Sequence, residues 1–481
     1  MQTHLKGFGL ENFRVFKDYT WFDFAPITIL TGPNSSGKSS LNKALLLLKD
    51  NFEKGNLPSG SLKFDSKAHG LNSASNVKYQ YSDSQIMSFV FPHQVFIENT
   101  DNEHIENNNI DNLRESALGR LKKHAFLRPK IIQLYYHLSF QIKNNKALSF
   151  THMELRNSDD NCILKVSETN LCFDVELFNE ISKNNVLTPG LNFPIHYTKS
   201  ISDPNGVRLD DWLHENDIES DRCIELRNQI YTVLGISYVK SIWDKHLGWK
   251  GESQYQKLYV PSTIEPLESV TILSQNRTEQ KRVYSNDTNS SFISTLRVLS
   301  EANEEGIKYH KFINRCLKLL GIDGEIKVDF DDEKQLYFPN INGKSFLDYG
   351  FGYTQIASLI FKITEISINK WVSDPGIFSY EPTILILEEP ESNLHPKFQS
   401  VLADILVDAA ERFDIQFIVE THSEYLIRKL QYLTATKKVK PEDSVIYYFH
   451  ELGKVPIGEK QVKKIEIQED GSLSDEFGSG F

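Results

Sequence analysis

The chain has 481 residues, 40% hydrophobic and 25% charged, with a formal net charge of −12. That suits one large domain or two to three ordinary ones of a globular protein, and so acidic a chain repels a phosphate backbone unless its basic residues cluster. Four scattered cysteines have neither metal-type nor disulfide-framework spacing, and no run of about 18 apolar residues is present to span a membrane.

The N-terminal "MQTHLKGFGLENF" lacks the basic start and apolar run of a secretion signal, so a reducing, cytoplasmic setting is expected. "FGLENFRVF" and "APITILTG" are β-rich and predict strands, and "SSLNKALLLLKDNF" predicts a helix with a leucine face. Between them lies "GPNSSGKS", which matches the phosphate-binding pattern G-x-x-x-x-G-K-[ST]. Its residues Gly32, Pro33, Asn34, Ser35, Ser36, Gly37, Lys38 and Ser39, with Ser40 behind them, form a candidate nucleotide cradle. Backbone N–H groups at a helix N-terminus wrap the phosphates, Lys38 reaches the β and γ phosphates, and the Ser39 hydroxyl ligates Mg²⁺. A preceding apolar strand and a following helix distinguish this from a plain glycine turn. No guanine-reading N-K-x-D appears, which favours ATP.

From about Gln85 to Phe178 the pattern predicts short alternating strands, with a hairpin at "LSFQI-KNNKA-LSFTHMEL". Residues 183–265 mix Pro, Gly, Asn and charge around one helical run and read as an insert. After a further helix, "KYHKFINRCLKLLG", comes "LDYGFGYTQIASL", two glycines at the start of an apolar helix with no cation among them. Then "TILILEE", "FQSVLADILVDAAERF", "QFIVETHS", "EYLIRKLQYL" and "SVIYYFH" alternate strand and helix, which argues for parallel strands under helices. The expected organisation is residues 1–182 carrying the P-loop, the insert at 183–265, and residues 266–481 carrying the remaining site residues.

"TILILEEPESNLHP" ends a buried strand on Glu388 and Glu389, at the strand edge where open α/β sheets bind ligands. Glu388 suits Mg²⁺, through water, and Glu389 suits the base that orients or deprotonates an attacking water. The plainer reading is two solvated carboxylates, and the P-loop in the same chain weighs against it. One strand later Thr421, His422 and Ser423 repeat the geometry: Ser423 can cap a helix, and His422 can sit beside the γ-phosphate.

These motifs together resemble an ABC-type ATPase of the prokaryotic branch related to OLD-family and RecF/SMC-like proteins, whose acidic strand reads "EEPE…LHP". The resemblance implies an α/β fold: an ATPase head with a mixed or parallel central sheet, an antiparallel β lobe and a helical insert. It implies that Asn12, Phe13 and Arg14 of "GLENFRVF" lie near the adenine. It makes "ILSQNRTEQKRVY", with Arg277 and Arg282, similar to an arginine segment of the same relatives. It also gives the glycine stretch a role. Asp348, Gly350, Gly352 and Gln355 fit that branch's signature "D-x-G-x-G-x-x-Q", whose helix N-terminus binds the γ-phosphate of ATP held by another subunit. A homo-oligomer with shared ATP sites is therefore implied, with ATP and Mg²⁺ as ligands. The glutamine loop of the family has no counterpart; "FDSKAHGLNSASNV" stands in its place without a Gln.

The basic run "GRLKKHAFLRPK" offers either a contact for nucleic acid or an acidic protein, or a solvated helix face; direct DNA binding stays open. Only about sixty residues follow His422, too few for the Toprim nuclease domain of OLD-family enzymes. A transporter subunit is disfavoured by the form of the signature and its distance of over 300 residues from the P-loop. A RecF/SMC-like DNA-repair ATPase is the alternative, weakened by the absence of coiled-coil arms and the acidic balance. In length and motif order the chain is most similar to the ATPase subunits of the anti-phage systems PARIS and, second, Septu. That resemblance implies a sensor or scaffold that holds a nearby-encoded Toprim-type nuclease in check until a phage protein triggers it.

Overall fold

In the computed structural model, the residues described are 1–53 except Gln2, 61–97 except 65, 67, 68 and 80–83, then 130–143, 147–157, 160, 162–168, 173–177, 192–195, 270–274, 281–286, 291–301, 304–369, 373–374, 377–378 and 383–478. The expected helix within 183–265, Arg277, and the basic run up to Pro129 lie outside them.

The chain opens with strands β1 (Gly7–Glu11), β2 (Thr20–Asp23) and β3 (Ile27–Thr31), then helix α1 (Lys38–Glu53). After β4 (Ser61–Leu62) come β5 (Ile86–Ile97), β6 (Lys130–Lys143), β7 (Ala147–Asn157), β8 (Cys162–Glu168), β9 (Phe173–Leu177) and β10 (Asn192–Ile195). Later are β11 (Val270–Leu273), β12 (Tyr284–Ser285), α2 (Ser291–Ser300), α3 (Glu304–Leu319), β13 (Ile326–Asp331), β14 (Leu336–Ile341) and α4 (Phe351–Asn369). The remainder is β15 (Ser373–Asp374), β16 (Ile377–Phe378), β17 (Thr383–Glu388), α5 (Pro396–Phe413), β18 (Ile415–Glu420), α6 (Glu424–Ala435), β19 (Ser444–Phe449) and β20 (Val462–Glu466).

The fold is α/β with a mixed central sheet, as expected. That sheet runs β11-β17-β18-β3-β19-β20, parallel except for the antiparallel edge strand β20. The P-loop strand β3 thus lies between two strands from the other end of the chain. Side chains alternate across a strand, and both faces here are covered, so the strands read as unbroken apolar runs. Ile384 and Ile386 of β17 face a core shared with Leu41, Leu45 and Leu48 of α1 and with Phe8, Phe13 and Phe89 of the antiparallel lobe. Leu385 and Leu387 face the opposite core, with Leu402 and Leu406 of α5 and Leu426 and Leu430 of α6.

The antiparallel lobe is a nine-stranded sheet, β10-β9-β8-β7-β6-β5-β1-β2, with β4 on β7. The expected β6–β7 hairpin is present, closing at Lys143 opposite Ala147. Its strands are longer than the sequence pattern suggested: β5, β6 and β7 have 12, 14 and 11 residues. Pro92 does not end β5, because β1 pairs only with Ser88–Val90 and leaves the ladder beyond it free.

Candidate functional site

The site is assembled at the carboxyl ends of β3, β18 and β17, three neighbours in one parallel sheet. From β3 the chain turns at Gly32 (φ +135°), where an added Cβ would overlap the Phe449 carbonyl oxygen at the end of β19. Gly37 (φ +103°) closes the loop, and a Cβ there would run into Val15. Asn34 and Ser35 form the exposed crest, Ser35 with φ +61°, and Ser40 N–H closes onto the Gly37 carbonyl at 2.9 Å. Both glycines are thus dictated by backbone conformation and close approach.

Lys38 begins α1 and is buried, its side chain folded back over the loop. Its ammonium donates to the carbonyls of Gly32 (3.0 Å) and Pro33 (2.8 Å), which leaves one of three N–H donors for a ligand. Burial lowers its pKa, and Glu420, Glu389 and Glu391 oppose the shift. Among the described residues the Ser36 hydroxyl, buried in the loop, has no hydrogen-bond partner.

Glu388 closes β17 beside Glu420, which closes β18 in register with it. Burial raises the Glu388 pKa against the pull of Lys43. Glu389 follows with φ +42°, a left-handed backbone that non-glycine residues rarely adopt. It is fixed there by its N–H on the Glu420 carbonyl (2.7 Å) and by Ser392, whose hydroxyl donates to its carboxylate at 2.9 Å. Backbone strain of this kind costs roughly 1–3 kcal/mol and clusters at functional sites.

His422 lies at the surface of the site, within electrostatic reach of both Lys38 and Glu389. Desolvation first and Lys38 second hold its imidazole below its ordinary pKa, with Glu389 opposing them. Its backbone N–H donates to the buried Glu391 carboxylate at 2.6 Å, which ties the turn after β18 to the turn after β17. Ser423 caps α6, accepting from Leu426 N–H at 3.1 Å and donating to Gln399 of α5 at 2.7 Å.

Of the three residues expected near adenine, only Arg14 presents its side chain to the P-loop: its Nε donates to the Ser40 hydroxyl at 3.2 Å. Phe13 is fully buried edge-on to Phe89, and the Asn12 amide donates to the Ser84 and Ile86 carbonyls at 3.0 and 2.7 Å. The Phe13 ring and the Asn12 amide nitrogen are thus engaged within the antiparallel lobe, where they anchor β5 to the turn before β2.

Gly350 and Gly352 lie at the start of α4, the helix expected there. Asp348 closes a capping box with Ser345, and both its oxygens accept from the exposed Arg282, at 2.6 and 3.1 Å. That pairing joins the signature to the arginine segment. Gly350 has φ +97° and an open flank, whereas a Cβ on Gly352 would come no closer than 3.6 Å, to Leu394. Among the described residues, therefore, none crowds a side chain at position 352. Gln355 is half-buried on the same helix, and Phe351 at its N-terminus is 62% exposed.

Sequence reasoning missed Glu420. Its carboxylate accepts from the Ser39 hydroxyl at 2.9 Å and from the Asn42 amide at 3.4 Å, and burial raises its pKa. The signal was available: "IQFIVE", like "TILILE", is a buried strand ending on a carboxylate at the ligand edge of the sheet.

The donors gathered here are a hydroxyl and carboxylates, hard oxygen ligands that suit Mg²⁺. Among the described residues no three His, Cys, Asp or Glu side chains form a metal-binding group.

The model of the AAA ATPase domain family matches residues 4–427 of this chain. The chain belongs to that family. No curated protein sequence matches it. Solved structures similar to this AAA ATPase are an SMC head bound to the C-winged helix domain of ScpA (11% identity, TM-score 0.40, covering 97% of this chain and 99% of that one), the SMC head domain from Thermotoga maritima (12%, 0.34, 97% and 100%), and the Pyrococcus furiosus Smc head with an extended coiled coil bound to the C-terminal domain of ScpA (11%, 0.36, 98% and 94%). Among the described residues of the ATPase no helix is long and apolar enough to cross a membrane.

Proposed function

We propose that the chain binds ATP with magnesium and hydrolyses it. One observation carries this reading: Lys38, Glu388, Glu389 and His422 converge from adjacent strand ends onto one P-loop, with Lys38 in the field of Glu389. Loop N–H groups from Gly32 to Ser39 hold the phosphates, aided by the remaining Lys38 donor. Ser39 and, through water, Glu388 would hold the metal, which would neutralise charge on the phosphate oxygens. Glu389 takes the proton of the attacking water. Its turn is pinned at both ends, so the carboxylate is pre-positioned. His422 reads the terminal phosphate, and Arg14 approaches the nucleotide from the side of Ser40. Asp348, Gly350, Gly352 and Gln355 complete the site of a second copy. The support is that glycine at 352, which no described residue crowds, would let a phosphate approach the α4 N-terminus.

We further propose that this nucleotide cycle governs a separate effector, a Toprim-type nuclease released or activated when a phage protein is sensed. The order and form of the motifs support it. The test is co-expression with the neighbouring gene product and pull-down by wild-type, Lys38→Ala and Glu389→Gln proteins, followed by a nuclease assay after trigger addition. Activation that needs both residues supports the reading. Nuclease activity from this chain alone, or activation indifferent to both substitutions, overturns it; ATP turnover stimulated by DNA with no effector bound points to a repair role instead.

A further inference from the structure

We infer that Glu420 is a positioning residue that aims the Ser39 hydroxyl at the nucleotide's metal. The inference rests on the proposed role of Ser39 as a magnesium ligand. A serine hydroxyl has one proton and two lone pairs. To ligate a cation it must turn a lone pair to the ion and its proton away, onto an acceptor. The usual place to seek that acceptor is the carboxylate at the end of the acidic strand, here Glu388. In this chain the Ser39 hydroxyl donates instead to Glu420, at 2.9 Å.

Sheet order explains the substitution. β18 lies between β17 and β3, with Glu420 in register with Glu388 on one side and with Leu30 on the other. Glu420 is therefore one strand nearer the P-loop than Glu388. Its second oxygen accepts from Asn42, which lies three residues beyond Ser39 on the same face of α1. The two bonds hold the carboxylate against that face, and the Glu420 carbonyl accepts the N–H of Glu389. One residue so aligns both the hydroxyl of the P-loop and the backbone of the proposed base. Glu388, left free of Ser39 and facing Lys43, keeps its oxygens for the ion's water shell. Partners of this kind, one shell behind a metal ligand, typically cost about 10- to 100-fold in metal affinity when removed.

The experiment is a Mg²⁺ titration of fluorescent ATP-analogue binding, with a parallel series in EDTA. Glu420→Ala should raise the half-saturating Mg²⁺ about 10- to 100-fold, while metal-free nucleotide affinity stays within about twofold of wild type. Glu420→Met, which fills the volume without an acceptor, should match it and serves if the alanine variant fails to fold. Glu420→Gln, which keeps an acceptor oxygen, should recover most of the loss. In a Ser39→Ala background, Glu420→Ala should add nothing. An unchanged titration in Glu420→Met, or a full extra loss in the Ser39→Ala background, would overturn the inference and leave Ser39's role intact. No effect from Ser39→Ala itself would overturn both.

Discussion

Three glycines around the site have three different physical reasons, and alanine substitution separates them. At Gly32 the backbone has φ +135°, and a Cβ would overlap the Phe449 carbonyl oxygen and come within 3.1 Å of that residue's N and C. The conformation costs an L-residue roughly 1–3 kcal/mol. Relief requires β19 to back away from β3, giving up at least one ladder bond at about 1 kcal/mol. Gly32→Ala should therefore lose roughly 2–4 kcal/mol, a large share of the ~5–15 kcal/mol typical of a domain. At Gly350 (φ +97°) nothing lies within 4 Å of an added Cβ, so only the conformational part remains, about 1–3 kcal/mol. At Gly352, helical and uncrowded, alanine should stabilise by about 0.5 kcal/mol. Urea unfolding monitored by circular dichroism should rank the variants Gly352→Ala, wild type, Gly350→Ala, Gly32→Ala from most to least stable. ATP turnover should not follow that rank: on the proposed shared site, where this glycine would face the phosphate of a second copy, Gly352→Ala should fold at least as well as wild type and hydrolyse more slowly. A Gly352→Ala protein as destabilised as Gly32→Ala would refute the reasoning.

Mixing Lys38→Ala with Gly352→Arg subunits, each inactive alone, should restore part of the ATPase activity, because each mixed pair can form one intact site; no recovery in verified mixed oligomers would refute a signature acting across subunits. Burial raises the Glu391 pKa above its ordinary 4.5, so the folded state binds that proton more tightly than the unfolded one and stability falls as pH rises through the raised value. Glu391→Gln should thus melt above wild type at pH 8, with the advantage fading as pH drops towards the ordinary carboxylate range; a gain that grew on acidification would contradict the sign.

Local patterns made much of the site legible. "GPNSSGKS" between an apolar strand and a leucine-faced helix, and "TILILEE" ending abruptly on charge, each state a mechanism within a dozen residues. What stayed hidden depends on distant partners. Phe13 and Asn12 resemble ligand residues in sequence, but their neighbours are Phe89, Ser84 and Ile86, brought in by the antiparallel lobe. The link from Ser39 to Glu420 spans 381 residues and follows only from β3 lying between β18 and β19, an order no local pattern encodes. The pairing of Arg282 with Asp348 was hidden in the same way: both residues were singled out, but for separate roles.

The most direct test of the account is ATP turnover and nucleotide binding measured on the same Glu389→Gln preparation. The side chain keeps its shape and a Ser392 contact, and the strained backbone is unchanged, so binding of a fluorescent ATP analogue should stay within about twofold of wild type while turnover falls about 10²- to 10⁴-fold. Turnover at the wild-type rate, or a loss fully explained by weaker binding, would contradict the assignment of this strand end as the hydrolytic centre.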